Sequence, residues 1–179
     1  RSRRHWNDAA KQNAVAGPLL SLTITTPGVD GVRPVLVWFH GGAWVSGAGN
    51  WKCYGGHRLA REGDVVVVTV NYRLGMLGYL RSPGISEGNL GLSDQLAALQ
   101  WVRDNIAAFG GDPDTVTIAG QSAGAHAVQC LIGMPKARGL FRRAIIQSSP
   151  AGLGLGSPRT ARRAADRFER AHGAVDAAR

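Results

Sequence analysis

The chain has 179 residues and a mass of 18.9 kDa, which is enough for one domain but not for two full-sized ones. Its composition, 44% hydrophobic and 18% charged, is that of a globular protein, and no apolar run reaches the ~18–20 residues of a membrane-spanning helix. The net charge of +9 lies at the ends: residues 1–11 carry +3 and residues 136–179 carry +7, whereas the residues between them carry −1. This distribution argues against a nucleic-acid partner, because proteins that bind nucleic acids carry their basic residues along one element that faces the groove.

Five segments have the pattern of β-strands. The first, residues 21–26, alternates polar and apolar residues, as a half-buried strand does. The other four are continuous apolar runs, at residues 34–39, 65–70, 116–119 and 144–147. Such runs are typical of strands buried on both faces in parallel sheets, and helical patterns lie between them. The sequence therefore predicts an α/β fold with a mostly parallel central sheet flanked by helices.

Three segments have the pattern of helices. The clearest is 93–109, where apolar side chains recur every three or four residues on one face and Ser93 and Asp94 suit the N-terminus. A second helix is predicted from residue 122 to about 132, and a third from 159 to about 172. We find no internal repeat and no linker of the kind that separates domains.

The segment 120–124, Gly-Gln-Ser-Ala-Gly, fits the pattern G-x-S-x-G. A predicted strand enters it and a predicted helix leaves it, which is the context that a nucleophile elbow requires. Ser122 is therefore the candidate nucleophile, and Gly120 and Gly124 leave room for the tight turn around it. The alternative is an ordinary turn, since glycine and serine are common in turns.

A second motif, His40-Gly-Gly-Ala43, directly follows the predicted strand 34–39. Backbone N–H groups in such a turn can stabilise an oxyanion, because no bulky side chain blocks the approach. The alternative is a simple glycine-rich turn. The two motifs together, in this order along the chain, favour acyl-transfer chemistry.

Segments between residues 34 and 149 resemble the type-B carboxylesterases, the branch of the α/β-hydrolases that includes the cholinesterases. The similar segments are 34–47, 65–75, 88–95, 101–113 and 120–124. The resemblance implies an α/β-hydrolase fold that is incomplete at its C-terminal end, with residues 1–179 forming the N-terminal portion of a single catalytic domain. It also implies a carboxylic-ester hydrolase that acts on a small-molecule ester through an acyl-enzyme, without a cofactor or metal.

Residue by residue, the resemblance makes Ser122 the nucleophile and the N–H groups of Gly42, Ala43 and Ala123 the oxyanion donors, with Gly41 shaping the turn. It also makes Arg73 and Asp94 a structural ion pair.

The sequence departs from the family pattern at three positions. Ala43 stands where many members have a third glycine, Gln121 replaces a common glutamate, and Leu19 replaces a cysteine of secreted members.

A serine nucleophile also needs a histidine base and a carboxylate that orients it. His126 lies four residues along the nucleophile's own helix, so we expect it to pack there, and we expect His40 to brace the glycine-rich turn. Glu169 and His172 share one predicted helix, unlike the two loops that usually present acid and base. The family places both partners beyond residue 179, so we expect the isolated chain to be inactive.

Two other interpretations remain open at this point, a non-catalytic binding or adhesion module with the same fold and an inactive esterase fragment. Retention of Ser122 favours the enzyme. Cys53 and Cys130 have no metal-ligand spacing and form no disulfide framework. No secretory signal is visible, which favours the cytoplasm, although the chain also lacks an initiating Met. The oligomeric state stays undetermined.

Overall fold

The computed structural model describes residues 20–153 and 156–172. Its centre is a sheet of five strands in the order β1-β3-β2-β6-β7, in which β1 is antiparallel to β3 and all other pairs are parallel. These strands are β1 (Ser21–Thr25), β2 (Arg33–Phe39), β3 (Val66–Asn71), β6 (Gly111–Gln121) and β7 (Arg143–Gln147). A small hairpin pairs β4 (Arg81–Ser82) with β5 (Ser86–Glu87).

Helices connect the strands and lie on both faces of the sheet. They are α1 (His57–Gly63), α2 (Gly75–Tyr79), α3 (Leu90–Asn105), α4 (Ala123–Gly133) and α5 (Pro158–His172). Short 3₁₀ turns cover Lys52–Tyr54, Ile106–Phe109, Pro135–Ala137 and Ala151–Leu153. Within the described ranges, none of these helices is long and apolar enough to cross a membrane.

The predicted strands and the three predicted helices are all present, but the first of these helices is shifted. It begins at Leu90 instead of Ser93, after Asn89 in the left-handed conformation, and its last four residues form the 3₁₀ turn Ile106–Phe109. Asp94 was expected at the N-terminus and instead lies inside the helix, buried to 7% exposure. Helices α1 and α2 and the hairpin were not predicted, because they are too short to show a full periodicity in the sequence.

The core lies between the sheet and helices α3 and α4. Alternate side chains of β2 and β3, such as Val37, Phe39 and Val68, are completely buried there. Leu99 of α3 and Leu131 of α4 pack against them. Burying one such side chain contributes about 1.5–3 kcal/mol, so this layer fixes the sheet on which the candidate site is built.

Strand β7 forms one end of the sheet and is exposed along its whole length. Within the described part of the chain it pairs only with β6, so its outer N–H and C=O groups have no strand beside them. Ile145 and Ile146 are 44% and 42% exposed. The strand predicted at residues 144–147 therefore forms an open apolar edge of the described sheet.

Candidate active site at the turn between β6 and α4

Ser122 occupies the sharp turn between strand β6 and helix α4, with φ 55° and ψ −119°. Positive φ is unusual for a residue with a side chain, and it persists only where the surroundings hold it. Here the N–H of Ser122 donates to the carbonyl of Gln147 at 2.9 Å, and its own carbonyl accepts the N–H of His126 at 3.0 Å. The serine is thus fixed by the sheet on one side and by the helix on the other.

Glycines allow the backbone on either side of Ser122 to approach its neighbours closely. A methyl group on Gly120 would collide with the backbone of Gly124. A methyl group on Gly124 would collide with the carbonyl of Phe39, the last residue of β2. Helix α4 therefore begins directly against the end of β2, which only glycine permits at this distance.

The segment 40–47, here called the glycine turn, follows β2 and lies against Ser122. Because β2 and β6 are parallel neighbours, with Phe39 opposite Gly120, their carboxyl ends meet at the same edge of the sheet. A methyl group on Gly41 would lie 2.6 Å from Oε1 of Gln121 and 3.2 Å from Cβ of Ser122. The structure therefore brings together the two motifs that the sequence singled out.

Three successive residues of the glycine turn have positive φ: Gly42 at 123°, Ala43 at 53° and Trp44 at 63°. At Gly42 this conformation also excludes a side chain, because a Cβ atom there would collide with the carbonyl of Ser46. Ala43 and Trp44 have side chains and adopt this conformation at a cost in free energy. The turn is therefore strained, and its contacts must hold it.

Hydrogen bonds to the carbonyls of the glycine turn set the direction of its N–H groups. The carbonyl of Gly41 accepts from Nδ1 of His40 at 2.7 Å, and that of Gly42 accepts from the N–H groups of Val45 and Ser46 at 3.0 Å. In a planar trans peptide the N–H points away from the C=O. The N–H groups of Gly42 and Ala43 therefore point the opposite way, and neither donates a hydrogen bond to any residue that the structure describes.

His40 braces the glycine turn from inside the fold, as expected. It is 1% exposed, its ring stacks on Tyr72 at 4.5 Å between centroids, and the Tyr72 hydroxyl donates to its carbonyl at 2.6 Å. Burial lowers the pKa of His40 below its usual value, against a smaller opposite effect of the bond to Gly41. Since the carbonyl of Gly41 can only accept, the neutral ring has its proton on Nδ1. Nε2 is buried and has no partner in the part of the chain that the structure describes.

Two other ionisable groups considered from the sequence are His126 and Glu169. His126 is partly buried and meets Trp44 edge-on at 5.4 Å between ring centroids. Its Nδ1 is buried and has no hydrogen-bond partner within residues 20–153 and 156–172. The carboxylate of Glu169 accepts from the hydroxyl of Ser82 at 2.6 Å, which ties α5 to the hairpin. Neither His40 nor His126 forms a hydrogen bond with the Ser122 hydroxyl.

Arg73 and Asp94 form the expected ion pair. The guanidinium donates twice to the carboxylate, at 2.6 and 2.8 Å, and the Arg73 N–H donates a third bond at 3.0 Å. These bonds raise the pKa of Arg73. The pair joins the end of β3 to helix α3.

Sequence reasoning missed the supports of the glycine turn. Tyr72 lies 32 residues from His40 along the chain, and Gly75, whose N–H donates to the carbonyl of Trp44 at 2.6 Å, lies 31 residues from its partner. The only local signal was the segment 71–75, which has a tyrosine directly after a strand. Over the described ranges, no group of three or more His, Cys, Asp or Glu side chains is placed to hold a metal ion.

The family model of the carboxylesterases matches residues 5–177. The chain belongs to the carboxylesterase family. A probable N-octanoylanthranilate hydrolase of Rhodococcus erythropolis is 61% identical over 152 residues, which are 84% of this chain and 34% of that protein. The phenmedipham hydrolase of Pseudarthrobacter oxydans is 50% identical over 135 residues, or 75% of this chain and 27% of that protein.

Solved structures of the carboxylesterase family give the same fold. The carboxylesterase EST55 of Geobacillus stearothermophilus at pH 6.8 superposes with a TM-score of 0.81 and 50% identity, over 84% of this chain and 34% of that one. The fold is thus the α/β-hydrolase fold. The chain spans about a quarter to a third of the length of these relatives.

Proposed function

We propose that the protein is a serine carboxylesterase in which Ser122 is the nucleophile. The observation that carries this proposal is the strained conformation of Ser122 at the strand–helix turn, with the glycine turn packed against it. Strain of this kind concentrates at functional sites, and it presents a serine hydroxyl at the edge of the sheet. Membership of the carboxylesterase family supports the same chemistry.

In the first step, Oγ of Ser122 bonds to the ester carbonyl carbon while its proton passes to a general base. The carbonyl oxygen becomes an oxyanion, and the N–H groups of Gly42, Ala43 and Ala123 donate to it. The first two point out of the glycine turn and have no partner among the described residues, and Ala123 is the first residue of α4, whose N–H has no partner within the helix. Loss of one such donor typically costs about 10²–10³ in kcat.

In the second step, the bond from the carbonyl carbon to the alkoxy oxygen breaks, and the alcohol leaves with the proton from the base. Water then attacks the acyl-enzyme with the same base, which releases the acid and restores the serine hydroxyl. Gly41, Gly120 and Gly124 act only by allowing the backbones to approach this closely. No cofactor and no metal takes part.

We place the histidine base and its carboxylate in the part of the full-length protein outside these 179 residues. His40 is unsuited to the role because its Nδ1 donates to Gly41 and its Nε2 is buried. His126 is turned to Trp44. The matched segment covers only 34% of the relative with 61% identity, so the rest of that protein leaves room for both groups.

The proposed substrates are small carboxylic esters, and an N-acyl anthranilate belongs in the same test. The relative with 61% identity is named as a probable N-octanoylanthranilate hydrolase, and hydrolysis of such an acyl group uses the same acyl-enzyme. We therefore expect turnover of p-nitrophenyl esters and include N-octanoylanthranilate as a second acyl donor.

The test compares the full-length protein with its Ser122→Ala variant, by hydrolysis of p-nitrophenyl acetate and by covalent labelling with a fluorophosphonate. We expect labelling to disappear and kcat to fall by about 10⁴–10⁶. Ser93→Ala is the control, because Ser93 is an exposed serine on α3 that bonds only its own helix, and it should be labelled like the wild type. Undiminished labelling of Ser122→Ala would refute the proposal. A wild-type protein without hydrolysis or labelling would favour the binding module.

A further inference from the structure

Trp44 has the larger side chain of the two non-glycine residues with positive φ in the glycine turn. It follows Ala43 directly and has φ 63°, a conformation that is an outlier for a bulky side chain. Two contacts hold Trp44 in this conformation, one through its backbone and one through its side chain. Its carbonyl accepts the N–H of Gly75 at 2.6 Å, and its indole ring meets the imidazole of His126 at 5.4 Å and 71°.

His126 connects this turn to the nucleophile. It lies one turn into helix α4, and its backbone N–H donates to the carbonyl of Ser122 at 3.0 Å. His126 thus donates a backbone hydrogen bond to the turn at Ser122 and contacts Trp44 of the glycine turn with its ring. Edge-to-face contacts of this kind have a preferred geometry, so they fix orientation as well as distance.

We infer that His126 is a positioning residue, whose ring holds Trp44, and through it the N–H of Ala43, in place beside Ser122. The inference rests on the proposed function, since Ala43 is one of its oxyanion donors. The ring acts by its shape and not by proton transfer, because the ring is packed on the indole and its buried Nδ1 has no partner among the residues described. Without the ring, Trp44 is free to relax from its positive φ, and the preceding peptide turns with it.

A displaced oxyanion donor affects the transition state more than the bound substrate, since negative charge develops on the carbonyl oxygen in the transition state and is absent from the bound ester. A shift of about 1 Å at a reacting group can cost about 10²-fold in rate, and a loosened turn samples the correct position part of the time. We therefore expect a fall of about tenfold in kcat, with KM changed by less than about twofold.

The experiment uses the full-length protein and measures kcat and KM for p-nitrophenyl acetate across pH in the wild type, His126→Ala and His126→Phe. Phenylalanine keeps an aromatic ring at this position but cannot bind a proton. We expect the alanine variant to lose about tenfold in kcat and the phenylalanine variant to recover to within about twofold to threefold, with the wild-type pH profile. Phe109→Ala is the control, because it removes another aromatic contact, with Trp101 at 6.0 Å, that lies outside the site. It should lower thermal stability and leave kcat unchanged.

Three results would overturn the inference: wild-type kcat in His126→Ala, a phenylalanine variant as impaired as the alanine variant, or a phenylalanine variant that loses one limb of the pH profile. If the alanine variant does not fold, the rate and pH profile of the phenylalanine variant decide alone. The proposed function fails separately, because only its failure leaves Ser122→Ala active.

Discussion

Strained backbone conformations cluster around Ser122. In the described ranges, the non-glycine residues with positive φ are Ala43, Trp44, Asp64, Asn89, Ser122 and Ser148. The first two lie in the glycine turn, and Ser148 follows Gln147, whose carbonyl holds the N–H of Ser122. Each such residue costs on the order of 1–3 kcal/mol, so the surrounding fold must supply this energy.

Gly42 gives a direct test of the glycine turn. Gly42→Ala puts a methyl group against the carbonyl of Ser46 at a residue with φ 123°, so the turn must shift. We expect kcat of the full-length protein to fall by about 10²-fold or more, as for loss of an oxyanion donor. The matched control is Gly133→Ala at the end of α4, where a methyl group meets nothing within 4 Å. It should leave kcat unchanged, and equal effects of the two substitutions on kcat would contradict the role of the turn.

The depressed pKa of His40 predicts a pH dependence of stability. Above about pH 6.5 the ring is neutral in both states, whereas below it the unfolded chain takes up a proton that the folded ring resists. The contribution of His40 to the free energy of unfolding is therefore present above its pKa in the unfolded chain, and it is lost as the pH falls through its pKa in the folded protein. We expect the melting temperature of the wild type to fall faster than that of His40→Asn between about pH 7.5 and about pH 5, since asparagine retains an N–H donor but does not titrate. Parallel curves would contradict this assignment.

At the scale of elements, the site depends on which strand ends lie side by side. Strands β2 and β6 are neighbours in the sheet, although β2 ends at Phe39 and β6 begins only at Gly111. The glycine turn and the elbow therefore both emerge at the carboxyl edge of the sheet, where open α/β sheets bind their ligands. Helix α3 is positioned separately, by the bond of Asp94 to the end of β3.

The Arg73–Asp94 pair predicts a large loss of stability when it is broken. The Asp94 side chain is 4% exposed, and removing it leaves the partly buried guanidinium of Arg73 and one backbone N–H without their acceptor. We expect Asp94→Ala to cost about 3–5 kcal/mol in denaturant unfolding of the full-length protein. The control is Asp114→Ala, whose pair with Arg103 at 3.2 Å is exposed and should contribute less than about 1 kcal/mol. Similar losses in the two variants would show that burial does not set the strength of this pair.

At the scale of the whole molecule, the sheet ends in an open apolar strand. A pocket of about 310 Å³ lies beside β7, and its lining includes Leu36, Trp38 and Ile145. Unpaired strand edges with exposed apolar side chains associate with other chains unless charge or a covering element prevents it. The net charge of +9 opposes association and is screened by salt.

A polypeptide of these 179 residues should hydrolyse p-nitrophenyl acetate poorly. We also expect it to self-associate, and added salt should increase the association. Light scattering measures the association. Ile145→Lys puts a charge on the edge strand and should reduce it, whereas Val29→Lys, at an exposed residue in the loop between β1 and β2, should not. A wild-type chain that stays monomeric and unfolds in one sharp thermal transition would contradict the prediction.

The sequence alone determined the features that depend on neighbouring residues. The apolar runs predicted the strands, and the order strand, Gly-Gln-Ser-Ala-Gly, helix predicted the turn at Ser122, because periodicity and glycine placement act over a few residues. The same local rules placed Asp94 at a helix N-terminus and were wrong there. The carboxylate is instead held inside α3 by Arg73, and this tertiary bond outweighs the local preference.

Only the tertiary structure decided which residues meet. The order of the strands puts Gly41 against Ser122, and the packing of α4 on that edge puts His126 against Trp44, 82 residues earlier in the chain. Tyr72 reaches the carbonyl of His40 in the same way. Such contacts leave no local pattern in the sequence, because they depend on how separate elements pack and not on the spacing of residues within one element.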